Sequence, residues 1–413
     1  MIQEKFHENS MPKFSIIIPS ARPHYLSMAL DSALAQTFED FEVVISDNSP
    51  DAGGADVLKN YSDSRIRYVR PPEPLDATPH WDFAFTHAKG EWVVQLCDDD
   101  AILPQLLETL NRHITEHPDV DAIKWQFSSL SRILDEPGKH MLRMPACSGK
   151  VKSHSAKDLI LKMFDSGSGL FRIKIELPFF PLATFKRTHI EKVREIQKGV
   201  LFHAPCPMTS GALSMLALAE QTLEIDLPLT VLGDPPDSAG NAHQNDEMYK
   251  EMHKSTVLKY APIKTMFLFP STNAESLLRA QKAMGKYTAD YQINYSRYFL
   301  SCVLAMEELG ATGLDVSGLQ KMFDEALQTF SGDIKQELEN LLSEERGQGK
   351  KRSLKAKIQD RVASARRKLK KNDIVSSREW RSDEIDVNDV LSSVHFISQR
   401  LQSKSECMLH KSV

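Results

Sequence analysis

The sequence predicts an α/β fold: a mixed, mostly parallel sheet flanked by helices, with a helical C-terminal extension. Three observations carry this reading. Short β-branched or continuously apolar runs alternate with helically spaced segments through residues 14–127. Polar groups gather just after three of those runs. From about 245 to 345 the apolar spacing is helical throughout. Strands that alternate with helices imply crossover connections and hence parallel neighbours.

Taken in order, residues 1–12 read as a loose N-terminal tail. FSIIIP, residues 14–19, is a β-branched run closed by a proline, a strand signal. In residues 20–35 the apolar groups Tyr25, Leu26, Ala29, Leu30 and Ala33 fall at helical spacing, and Pro23 suits a first turn. FEVVIS, residues 41–46, is a second strand that ends in Asp47 and Asn48. A short helix is expected over 55–61, a third strand over 65–69, and a helix over 78–88 with Trp81, Phe85 and Ala88 on one face. The run EWVVQLCDDDAILP, residues 91–104, has the continuous apolarity of a strand buried on both faces. It ends in Asp98, Asp99 and Asp100, and Pro104 opens the next helix. Another strand is expected over 119–127 and a loop-helix element over 203–220.

In an open parallel sheet, ligands bind outside the carboxyl ends of the strands. Ser20 and Arg22 after the first strand, Asp47 and Asn48 after the second, and the three acids after the fourth would then share one rim. Three consecutive carboxylates repel one another unless a cation is near. Hard divalent ions such as Mg²⁺ or Mn²⁺ take carboxylate oxygens together with substrate phosphates. The same acids also suit the cap of the following helix and a solvated loop. Trp81 and Phe85 read as core, and Cys97 as a small buried hydrophobe. Neither a GxGxxG nor a GxxxxGK[ST] fingerprint is present.

The 413 residues, 41% hydrophobic and 26% charged, suit two or three domains or one large domain with an extension. The cysteines Cys97, Cys147, Cys206, Cys302 and Cys407 are scattered, which argues against a disulfide framework or a zinc site and for a reducing compartment. The opening MIQEKFHENSMPKF lacks the apolar core of a signal peptide, and no run reaches the length of a membrane span, so a cytoplasmic location is expected. The net charge of −5 is uneven. Residues 346–371 hold twelve Lys or Arg against Asp360, a local net of +11, so the remainder carries −16. Leu354, Ile358, Val362, Ala365 and Leu369 form a stripe on that basic segment, which suits peripheral contact with an anionic membrane at 350–371 or packing on the protein. No aromatics interleave with the charge, so nucleic acid is not expected as a partner. Residues 245–345 read as a helical extension or an oligomerisation element, and 372–413 as a weakly ordered tail with one short helical piece.

Residues 14–49, with the step Gln36-Thr37-Phe38, together with RIRYVR at 65–70 and AKGEWVVQLCDDDAILP at 88–104, resemble the opening of a family 2 glycosyltransferase of GT-A fold. The resemblance is strongest over 14–127. It implies metal-dependent transfer of a sugar from a nucleotide-diphosphate sugar, foremost a UDP-sugar, to an acceptor hydroxyl. The implied chemistry is inverting and uses Mn²⁺ or Mg²⁺. The implied acceptor is a saccharide or lipid-linked one, in the setting of surface polysaccharide synthesis. It divides the chain into a nucleotide-sugar half (13–130) and an acceptor half (131–244). By the same resemblance Pro19, Ser20 and Arg22 line the nucleotide, Asp47 contacts the base, and Asp76 and Asp98 also meet the nucleotide. Asp99 is the direct metal ligand, supported by Asp98 and Asp100. Two positions depart from the pattern. Cys97 stands where a first acid is common, and Met208 follows Pro207 where relatives place an Asp. The general base is therefore sought among Asp234, Asp237, Glu220 and His203; His243 is a further candidate metal or phosphate contact. These departures keep a second reading open, a catalytically degenerate fold that binds a nucleotide-sugar or a partner. A nucleotidyltransferase would carry a Gly- and basic-rich loop after the first strand, where this chain has only Arg22.

Overall fold

The computed structural model describes residues 11–133, 136–167, 177–237, 257–347, 378–385 and 387–409. The N-terminal part alternates as expected: β1 (Phe14–Ser20), α1 (Pro23–Leu34), β2 (Phe41–Asp47), α2 (Gly53–Leu58), β3 (Ile66–Val69), α3 (Ala77–Phe85) and β4 (Trp92–Gln95). These four strands lie in the order β3-β2-β1-β4 and are parallel throughout. Ser20 pairs with Asp47 across β1 and β2, so the carboxyl ends of the strands do share a rim. Both faces of this sheet are covered, which is why its strands read as unbroken apolar runs. Ile16, Ile18, Val43, Ile45 and Val94 pack with α1 on one face; Ile17, Val44 and Val93 pack with Ala84 and Phe85 of α3 on the other.

The chain then continues through β5 (Ala101–Ile102), α4 (Leu106–Glu116), β6 (Ala122–Arg132), β7 (His140–Met144), β8 (Val151–Ser155), α5 (Ala156–Asp165), β9 (Ala183–Lys186), α6 (Arg187–Ile196), α7 (Pro207–Leu216) and β10 (Gln221–Asp234). β9 inserts between β4 and β6 and runs antiparallel to both. β10 is parallel to β6 and antiparallel to β5 and β8. Among the described residues the result is one mixed 11-stranded sheet flanked by helices, parallel across β3-β2-β1-β4 and mixed beyond. A helical region follows: α8 (Phe269–Met284), α9 (Tyr295–Ala311), α10 (Ser317–Gln328) and α11 (332–347), which share one core with α5 and α7.

Four local readings change. The fourth strand stops at Gln95, and 96–100 form a turn before β5. The next helix begins at Leu106 rather than Pro104, because Leu103–Gln105 make the turn into it, Leu106 N–H donating to Leu103 O. Residues 257–268 are not helical. Instead the buried Glu275 carboxylate accepts from the backbone N–H groups of Lys259 (2.8 Å), Tyr260 (2.6 Å) and Ala261 (2.9 Å) and holds that segment as a loop. The largest change is at the C-terminus. Where a weakly ordered tail was read, β11 (Arg378–Arg381) joins the sheet beside β7, a short α12 (Ser382–Ile385) follows, and α13 (Val390–Leu409) packs Val390, Val394 and Ile397 against Ala101, Leu130, Leu142 and Val231. Most of the basic segment 346–371, the tail 1–10 and His243 lie outside the described residues. Among the described residues no helix is long and apolar enough to cross a membrane.

Candidate active site

The rim of the parallel strands gathers the site. Ser20, the last residue of β1, donates its hydroxyl to Asp98 Oδ2 at 2.9 Å. Arg22, two residues on, directs Nη2 at Asp98 and at Asp99 Oδ2, the latter 2.9 Å away. Its Nη1 donates to the carbonyl of Asp237 at 3.2 Å, and the Tyr25 hydroxyl donates to Asp237 Oδ1 at 2.9 Å. So the end of β10 is tied to the loop after β1, and both face the acid turn. Asp100 points the other way: its Oδ1 accepts from Gly233 N–H at 2.9 Å. Gly233 must be glycine for this approach, because a Cβ there would lie 2.1 Å from Asp99 O.

The electrostatics are those of a site short of positive charge. Burial holds the Asp98 carboxyl above its ordinary range even with Arg22 beside it. Burial, and then the charge of Asp99, push Asp100 well up. Burial, and then Asp100, do the same to the Cys97 thiol, which stays neutral. Arg22 would be lowered by burial, yet Asp98 and Asp99 outweigh that and hold it firmly charged. Two of the three successive carboxylates thus share one guanidinium, and the third is held by a backbone amide. Ligand atoms of Cys97, Asp99 and Asp100 lie within 4.8 Å of one another. The hard carboxylate oxygens fit Mg²⁺ or Mn²⁺, and a neutral thiol does not add to that set. Asp99 and Asp100 could therefore hold such an ion, while Asp98 is engaged by Arg22 and Ser20.

Asp47 ends β2 in a different setting. Its Oδ1 accepts from Ser49 N–H (2.8 Å) and Ser49 Oγ (2.6 Å), and its Oδ2 from Gly54 N–H (3.0 Å) and Tyr68 Oη (2.8 Å). Burial alone would raise this carboxyl, but those donors from Ser49, Tyr68 and Gly54 prevail and lower it. The side chain is 1% exposed, so Asp47 shapes the β2–α2 loop with both oxygens. Pro19 pairs with Ser46 inside the sheet. Asn48 clamps the loop before α3, donating to Leu75 O (2.7 Å) and accepting from Leu75 N–H (2.8 Å). Asp76 stands at the N-cap of α3, where its carbonyl accepts from His80 N–H. Sequence reasoning missed Tyr68, Gly233 and the Asn48 clamp. A Tyr inside the short strand IRYV and a Gly just before Asp234-Pro235-Pro236 were the only signals.

The residues considered for a general base separate clearly. Asp237 reaches Arg22 and Tyr25 at the acid turn, and Asp234 closes β10 on the same rim. Glu220 is exposed just before β10 begins, at the opposite end of the sheet, its N–H donating to Asp121 Oδ2 at 2.8 Å. The half-buried His203 imidazole is lowered to about 4 by desolvation and pairs with Gln197, and among the described residues none of its hydrogen bonds reaches the acids.

Residues 15–175 match the model of Glycosyl transferase family 2. A GalNAc(5)-diNAcBac-PP-undecaprenol beta-1,3-glucosyltransferase of Campylobacter jejuni is 32% identical over 110 residues, 26% of this chain and 36% of that relative. A hyaluronan synthase of Pasteurella multocida is 35% identical over 108 residues, 25% of this chain and 11% of its own. The matched stretch thus spans little more than a third of the first relative and far less of the second. Staphylococcus aureus TarS, solved with UDP-GlcNAc, overlays on 79% of this chain and 81% of its own at 13% identity and a TM-score of 0.47. The fold described above stands on its own strand order and pairing.

Proposed function

We propose that the protein is a metal-dependent glycosyltransferase that moves a sugar from a nucleotide-diphosphate sugar, a UDP-sugar first, to an acceptor hydroxyl with inversion. The observation that carries this reading is the convergence at one rim of Ser20, Arg22 and three carboxylates, with ligand atoms of Asp99 and Asp100 within 4.8 Å of one another. In this reading Asp99 and Asp100 hold Mn²⁺ or Mg²⁺, with Asp98 supporting. A bound divalent ion supplies Lewis-acid neutralisation of charge on the leaving diphosphate. The chain's own residues do the rest. Arg22 fixes the positions of Asp98 and Asp99. The loops ordered by Asp47 and by Pro19–Ser20, with Asp76 at the start of α3, receive the nucleotide. Asp237, brought to the acid turn by Arg22 and Tyr25, takes the acceptor proton.

Residues 13–130 serve the donor and 131–244 the acceptor, with 245–345 a helical extension that serves self-association. The name of the Campylobacter relative supports a saccharide or lipid-linked acceptor and a role in surface glycoconjugate synthesis. A cytoplasmic location at the inner membrane face, with 350–371 on anionic lipid, completes the proposal.

Release of UDP from a panel of UDP-sugars with Mn²⁺ tests it. Asp99→Ala is expected to lower turnover at least about a hundredfold, as removal of an electrostatic stabiliser does. Retained turnover would sink the assignment. A second reading, a binding module without turnover, is favoured by Cys97 and Met208; it predicts saturable UDP-sugar binding and no release of UDP from any donor.

A further inference from the structure

We propose that the last turn of α4 is a binding site for a borderline transition-metal ion, Zn²⁺ foremost, formed by His113, Glu116 and His117. The site is separate from the acid turn and does not rest on the transferase reading. Residues three and four apart on a helix face one another. In HITEH, residues 113–117, this puts two imidazoles and a carboxylate on one side of α4. One ligand atom from each of the three lies within 4.8 Å of the other two. His113 Nδ1 is 3.1 Å from Glu116 Oε2, and the rings of His113 and His117 stack with centroids 6.4 Å apart at 29°. His113 is buried and therefore held, whereas Glu116 and His117 are exposed and open to an ion from solvent. His117 is the C-cap, its N–H donating to His113 O at 2.9 Å. The negative end of the helix dipole adds to the attraction for a cation.

The donor set selects the metal. Two imidazole nitrogens and one carboxylate suit Zn²⁺, Ni²⁺ or Cu²⁺, while the all-carboxylate turn at 98–100 suits Mg²⁺ or Mn²⁺. Three protein ligands leave a fourth position for water. One contact opposes binding. Arg112 Nη2 lies 3.3 Å from His113 Nε2, so the ring accepts from the guanidinium at Nε2 and keeps its proton at Nδ1, facing Glu116. An ion that takes Nδ1 displaces that proton, the ring becomes the Nε2–H tautomer, and Arg112 gives up its contact. No net proton is released in that exchange.

Calorimetric titration of the full chain with Zn²⁺ at neutral pH tests this, in an Asp99→Asn background that weakens the acid turn. One equivalent is expected to bind and Mn²⁺ not to compete. His117→Ala, an exposed position, should weaken that binding at least about tenfold, a loss of about 1.4 kcal/mol. Arg112→Ala should strengthen it. Cu²⁺ electron paramagnetic resonance should show coupling to two imidazole nitrogens in the parent and one in His117→Ala. Absence of Zn²⁺ binding, or an isotherm that neither His117→Ala nor Arg112→Ala alters, overturns the proposal.

Discussion

Asp98, Asp99 and Asp100 are neighbours in the chain, yet their partners differ: Ser20 and Arg22 for the first, Arg22 alone for the second, the Gly233 amide for the third. That division makes Gly233 a sensitive position. Gly233→Ala would force a methyl into the 2.1 Å gap before Asp99 O, and Val390 Cγ1 at 3.3 Å closes the other side. Overpacking of this kind costs about 1–3 kcal/mol. Urea unfolding should register that loss, and UDP release should fall with it. His80 supplies a pH test. It is 4% exposed, its Nε2 lies 2.9 Å from Ser46 Oγ, and burial lowers it to about 4 from its ordinary value near 6.5. Between those values the unfolded chain binds more protons. The stability His80 contributes is therefore complete above pH 6.5 and lost as pH falls towards 4, by about 3 kcal/mol at most. Asp82, raised to about 6 by burial, works in the opposite sense over part of that window, and His203 in the same sense. Comparison of parent with His80→Gln cancels both, and the variant should show the flatter dependence of unfolding free energy on pH.

Among elements, the C-terminal helix has the most consequence for the site. α13 covers β5 and β10, the strands beside the acid turn, and its Val390 Cγ1 would lie 3.3 Å from a Cβ placed at Gly233. Val394 is 5% exposed in that core. Val394→Asp would bury an unpaired carboxylate there, and a destabilisation of about 3 kcal/mol or more is expected. Because β5 and β10 are what α13 supports, Mn²⁺ affinity at the acid turn should drop as well, measured by calorimetry at a temperature where the variant remains folded. The helix was legible in the sequence as a short helical piece around 386–401; the strand before it was hidden. REWR, the strand that precedes it, has no apolar alternation, and only its pairing with β7 makes it a strand. α1, β1, β2 and β4 were legible for the opposite reason: each is apolar enough to state its own conformation before any partner is known.

At the scale of the molecule, the proposed donor and acceptor halves share one sheet. Among the described residues β5 pairs only with β10 in that sheet, and β4 continues into the rest through β9. A fragment ending at residue 130 would leave β5 unpaired and the edge of β4 open, a setting that favours aggregation. Expressed alone, residues 11–130 are expected to be insoluble or unfolded by circular dichroism, and co-expression with 131–413 should recover soluble material. A folded, monomeric 11–130 fragment would show that the halves are independent.

The sequence alone determined that four strands alternating with helices form a parallel core, the rim on which Ser20, Asp47 and the three acids stand, and the family resemblance of 14–127. These are local: a strand that is apolar through its length and polar at its end specifies both its burial and the residue it presents. What only the tertiary structure decided is which distant groups arrive there. Asp237 reaches Arg22 across 215 positions, Gly233 meets Asp100 across 133, and α13 comes back over a long stretch to cover both strands. No periodicity encodes such meetings, because they depend on how β10 threads between β5, β6 and β8, and that pairing is chosen by the packing of the whole sheet.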